Sequence, residues 1–124
     1  MSNYPHVFQP IKFGPLTLKN RLAFLPMTTG LVDDYAITDA FIDFYEQRAR
    51  GGVGLTAIGS AYVCDLNGCT TQYPTAGKAA GIWDDGFIDG WTRLATAIRN
   101  AGSTSCVQLQ ICYEWRADAS KPLE

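Results

Sequence analysis

Two short alternating runs, Ile11–Phe13 and Leu16–Leu18, flank Gly14-Pro15 near the start of the chain. Gly-Pro supplies a tight turn, so the pattern predicts a β-hairpin. Residues 22–25 form a continuous apolar run, as expected of a strand buried on both faces of a parallel sheet, and Pro26, which lacks an N–H, ends its ladder. After a polar loop through Asp33-Asp34, Thr38 is placed to cap a helix whose first turn carries Asp39 at the positive end of the helix dipole. Phe41, Phe44, Tyr45 and Ala49 recur at intervals of three and four, while Asp43, Glu46, Gln47 and Arg50 fall mostly opposite. That stripe predicts a packing face against a sheet, and Gly51-Gly52 stops the helix.

Residues 53–58, rich in small and β-branched side chains, predict a second buried strand, completing a strand-helix-strand unit with a right-handed crossover. Residues 60–80 hold Gly68, Pro74 and Gly77 with few periodic apolar positions, and predict a long irregular loop of the kind that carries function. From Asp84-Asp85 the pattern turns helical, with Phe87, Trp91, Leu94, Ala95 and Ile98 on one face and Gly102 at the stop. Gly90 inside that helix costs about 1 kcal/mol relative to alanine, which the packing of Trp91 must offset. Residues 105–111 predict a third strand. Three parallel strands cannot close a barrel, and the third would expose an edge carrying Val107, Leu109 and Ile111. The chain therefore reads as a piece of a larger domain.

Composition supports one globular core: 47% of residues are hydrophobic and 18% charged. A net charge of -2 without a basic stripe predicts neither a nucleic-acid nor a membrane partner. The N-terminus lacks a charged start followed by an apolar core, and no apolar stretch approaches the roughly 20 residues of a membrane span, so a soluble, cytoplasmic protein is expected. Cys64, Cys69, Cys106 and Cys112 are then reduced thiols with structural roles. Cys64 and Cys69 lie five positions apart without a second pair or a histidine to complete a metal site, so no metal is expected. Cys106 and Cys112 flank an apolar strand, where a small polarizable side chain packs rather than reacts. His6 reads as a surface residue.

Several ordered segments carry a family resemblance: Phe8-Gln9-Pro10-Ile11, the run from Gly14 to Arg21 (GPLTLKNR), Pro26-Met27-Thr28, the run from Tyr45 to Leu55 (YEQRARGGVGL) and Val107-Gln108-Leu109. Together they resemble the old yellow enzyme family, which includes NAD(P)H-dependent flavin oxidoreductases and 2,4-dienoyl-CoA reductases. The likeness covers residues 7–116. It implies an α/β fold in which this chain is the N-terminal portion, a β-hairpin plus βαβαβ, of a TIM (β/α)8 barrel with FMN at the carboxyl ends of the strands. Residues 1–124 are then the N-terminal part of a single flavin-binding barrel domain, incomplete at the C-terminus. Periodicity alone predicts a βα repeat; the eightfold barrel and the flavin come only from the resemblance.

By the same resemblance, Pro26, Met27 and Thr28 match a segment whose backbone faces the isoalloxazine, with Thr28 near its carbonyl edge. A hydroxyl donating there favours the electron-rich reduced flavin. Without the resemblance Thr28 reads as a loop-capping residue. Ser60 matches a small residue beside the pyrimidine edge. Gln108 matches a strand amide that donates to and accepts from that edge, and a Gln between Val107 and Leu109 in a buried strand needs a partner. Its alternative is a solvated face.

The chain departs from the family where many relatives carry His-x-Gly-Arg after the strand Gln; residues 110–116 (QICYEWR) lack both the His and the Gly. Thr29-Gly30 stands where some members carry a Tyr. The catalytic residues and the phosphate-binding loops are expected beyond residue 124. The implied activity is FMN-dependent reduction of activated C=C bonds in unsaturated carbonyl compounds with NAD(P)H as reductant, the isolated piece being inactive. The competing expectation is a non-catalytic half-barrel module that forms a homo-oligomer through its exposed strand edges. A phosphate-binding barrel isomerase shares the βα pattern but leaves the Pro26-Met27-Thr28 segment unexplained.

Overall fold

A computed structural model of the chain describes residues 3–64 and 79–110. The expectations at Cys69, Gly77, Ile111, Cys112 and Arg116 lie outside the described residues. The hairpin pairs β1 (Ile11–Phe13) with β2 (Leu16–Leu18), Ile11 opposite Leu18, and turns at Gly14 with φ +57°. Buried Asn20 follows it. Its amide donates to Gly52 O at 2.7 Å while its Oδ1 accepts from Leu22 N at 3.1 Å, tying the hairpin to the glycine turn after the first helix.

The sheet is built around β4 (Leu55–Tyr62). Along one edge runs β6 (Thr104–Gln110), parallel, from Leu55 opposite Thr104 to Tyr62 opposite Gln110. The other edge is shared by two short parallel strands: β3 (Ala23–Phe24) against Leu55 and Thr56, and β5 (Ala80–Gly81) against Ala61 and Tyr62. The second strand thus begins two residues later than its apolar run suggested and continues through Gly59-Ser60 to Tyr62. Ladder pairing to β6 sustains it past the glycine that read as its end. β5 begins at the last residue of the stretch expected to be irregular, because pairing with β4 needs no periodicity of its own.

Helix α1 (Asp39–Arg50) starts as its sequence dictates, Thr38 Oγ1 accepting from Phe41 N at 3.2 Å and donating to Leu31 O. It stops at Gly51, followed by Gly52 at φ +100°. Helix α2 (Ile88–Asn100) follows a 3-10 turn, Asp85–Phe87, and ends before Gly102 at φ +79°. A Cβ on Gly90 would lie 3.0 Å from Ile37 Cβ, so the glycine lets α2 approach the α1 entry loop closely. Trp91 Nε1 donates to Gly81 O at 2.7 Å and fastens α2 to β5. The core joins Phe41, Ile42, Tyr45 and Ala49 of α1 to Ile58 of β4 and Leu94 and Ile98 of α2, with Phe24 and Val107 packed against it. A second cluster gathers Tyr35, Tyr62 and Ala79 beside Trp83, Phe87 and Cys64.

Exposure is uneven across the sheet: β4 is buried from Thr56 to Tyr62, while β3 and β6 expose side chains. The segment around β3 is not buried on both faces as expected: Leu25 is 69% exposed and Ala23 is also exposed. Cys106 is likewise exposed rather than packed. Ala23, Leu25 and Cys106 all lie outside the core that α1 and α2 form with the sheet.

Candidate active site: one wall at the carboxyl ends of the strands

Parallel strands put all their carboxyl ends on one side, where ligands of α/β sheets bind. Three segments meet there. Pro26-Met27-Thr28 leaves β3, Gly59-Ser60 lies in the last half of β4, and Gln108 lies near the end of β6. Ile58 pairs with Val107 and Ala61 with Leu109, so Gly59 and Ser60 both stand opposite the single residue Gln108. This is a β-bulge, a device that re-aims side chains beside functional sites. Ser60 accordingly lies inside the strand at the bulge and not after it, as its position behind the apolar run suggested.

The three segments touch. A Cβ on Gly59 would lie 2.2 Å from Pro26 Cβ and 3.0 Å from Gln108 Oε1, distances that only a glycine allows. Met27 also forms an isolated antiparallel bridge with Gly59. Met27, Thr28 and Gln108 are exposed, while Ser60 is buried at 9% exposure. The structure therefore brings together Pro26, Met27, Ser60 and Gln108, with Thr28 next along the chain from Met27 and exposed.

Two residues of this wall escape a sequence reading. Gly59 resembles any strand-ending glycine. Tyr45 resembles a core aromatic, and its ring is one: Phe41, Phe44 and Phe24 lie at centroid distances of 4.9, 5.2 and 6.0 Å. Its hydroxyl has a different role, donating to Met27 O at 3.4 Å and accepting from Gly59 N at 3.3 Å. Burial pushes the Tyr45 phenol above its ordinary pKa, against the opposing pulls of the Gly59 amide and the Arg48 guanidinium. The phenol is thus held neutral. The one available signal was a tyrosine in a stripe of phenylalanines, since a buried hydroxyl must find a partner.

Pro26, Met27, Thr28, Gly59, Ser60 and Gln108 include no ionisable side chain. They supply a hydroxyl pair, one amide and main-chain groups beside apolar surface, a set suited to a flat neutral heterocycle and unsuited to a metal ion or a general acid-base pair. In this respect the donors and acceptors fit the polar edge of a flavin ring.

A parallel βαβαβ sheet whose strand ends gather Pro26, Gly59 and Gln108 defines the class, that of α/β folds built on a parallel sheet. Within that class the chain belongs to the NADH:flavin oxidoreductase / NADH oxidase family, whose model matches residues 6–118. It is 38% identical over 103 residues to a metal reductase of Desulforamulus reducens, covering 83% of this chain and 14% of that protein. It is 31% identical over 113 residues to an NADH oxidase of Thermoanaerobacter brockii, covering 88% and 16% respectively. Among solved structures, an old yellow enzyme homologue from Zymomonas mobilis superposes with a TM-score of 0.71 at 30% identity, covering 85% of this chain and 28% of that one. The fold is the N-terminal portion of that TIM barrel, and the chain spans less than a third of each of these relatives. Among the described residues no helix is long and apolar enough to cross a membrane.

Proposed function

We propose that this chain forms one wall of the FMN site of an NAD(P)H-dependent oxidoreductase that reduces activated C=C bonds, with enones and enoates as the substrate class. The observation that carries the reading is the convergence of Pro26, Gly59 and Gln108, within contact distance, at the carboxyl ends of three parallel strands. Bound FMN would supply the two-electron relay from NADH or NADPH to the β-carbon of the alkene. Thr28 would donate its hydroxyl to the carbonyl edge of the ring and favour the electron-rich form. Ser60 and Gln108 would hold the pyrimidine edge, Gln108 through both amide atoms, while the packing of Pro26 on Gly59 keeps that surface flat. These six positions offer no titrating group, so proton transfer to the substrate and the phosphate anchor would come from other residues of the protein.

The test is to express the open reading frame carrying residues 1–124, record its visible spectrum, and follow NADPH oxidation with 2-cyclohexenone. Flavin absorbance and turnover are expected from the full frame, and neither from residues 1–124 alone. A colourless full-frame product sinks the flavin reading; turnover by residues 1–124 alone sinks the division of labour.

A second reading concerns residues 1–124 by themselves. Leu25 and Leu109 are 69% and 60% exposed, and among the described residues no strand pairs with the outer edge of β6, which favours self-association there into a homo-oligomer.

A further inference from the structure

The Tyr45 hydroxyl is the point where helix packing reaches the wall. The ring is 0% exposed and held by three aromatic neighbours, so the position of the oxygen is set by the core and not by solvent. The oxygen meets one main-chain group on each of two adjoining segments: the carbonyl of Met27, one residue before Thr28, and the N–H of Gly59, one residue before Ser60. At 3.4 and 3.3 Å both hydrogen bonds are long, so their geometry depends on where the core holds the ring. A phenylalanine would fill the same space and keep the same ring contacts, yet would leave both main-chain groups without this partner.

We propose that Tyr45 is a positioning residue for the cofactor, its hydroxyl fixing the Met27 and Gly59 main chains so that Thr28, Ser60 and Gln108 present one rigid edge to the flavin. The proposal rests on the flavin reading above. Tyr45 touches no reacting atom; it acts through the two peptide groups that it joins.

The experiment compares Y45F, T28A and the unaltered protein, each expressed from the full reading frame, by FMN dissociation constant, visible flavin spectrum, midpoint potential and melting temperature. For Y45F the FMN dissociation constant is expected to rise about tenfold, equivalent to about 1.4 kcal/mol, with a shifted flavin band and potential. A purely structural tyrosine would change the melting temperature and leave the spectrum and potential of the remaining bound flavin unmoved, and that result overturns the proposal. If T28A shifts the spectrum while Y45F binds FMN within twofold of the unaltered protein, the flavin reading stands and the Tyr45 inference fails. An unaltered protein without flavin removes both. Should Y45F not fold, 3-fluorotyrosine at position 45 keeps the ring and the hydroxyl while changing its acidity. A flavin shift at unchanged melting temperature then supports the proposal, and an unchanged spectrum overturns it.

Discussion

Gly59 has no room for even one methyl group. The atom that alanine would add falls 2.2 Å from Pro26 Cβ and 2.9 Å from Pro26 Cα, and the proline ring cannot swing aside as a long side chain would. G59A is therefore expected to lose about 3 kcal/mol, the upper end of ordinary overpacking, measured as a lower urea midpoint at unchanged slope. Tyr45 adds a pH dependence. Its folded pKa is raised above the unfolded value of about 10, so its contribution is full below pH 10 and falls as pH rises from there through the folded pKa. Stability should drop by up to about 1.4 kcal/mol per pH unit in that window, and Y45F should remove this component. Denaturation curves at pH 9 and pH 11 for both proteins decide it.

At the scale of elements, local signals set the boundaries of what is held by local chemistry. The hairpin around Gly14, the Thr38 cap and the stops at Gly51 and Gly102 were legible because each is a matter of one residue's backbone or side chain. Elements defined by a distant partner were not. β4 runs past Gly59 because β6 lies alongside, and β5 consists of two residues that acquire their identity only from Ala61 and Tyr62. The candidate site divides in the same way. Thr28, Ser60 and Gln108 were found through their likeness to a family, whereas the phenol of Tyr45 needed coordinates to reveal that it faces two main chains. Removing the cap by T38A should cost about 1 to 2 kcal/mol, since the hydroxyl serves both Phe41 N and Leu31 O. Removing the exposed pair between Asp39 and Arg93 by D39N should cost no more than about 0.5 kcal/mol, because solvent screens it. Thermal unfolding of the two variants should rank them in that order.

For the molecule as a whole, the strands flanking β4 leave apolar side chains exposed, Leu25, Met27 and Leu109 among them. Residues 1–124 expressed alone should therefore sediment as a concentration-dependent mixture, and L109K should shift that mixture toward monomer by breaking an apolar contact at the edge. A monodisperse monomer at all concentrations would count against the self-association reading.

The aromatic grouping around Tyr45 also bears on the order of events during synthesis. Every ring that steadies it comes from residues 24 to 45, and the remaining helix of that core is complete at residue 100. Ribosomes release a chain from its N-terminus, so these contacts can form before any later strand emerges. The nascent chain can therefore hold the Tyr45 ring in place before β6, with Gln108, has been released, and β6 is added against packing already formed.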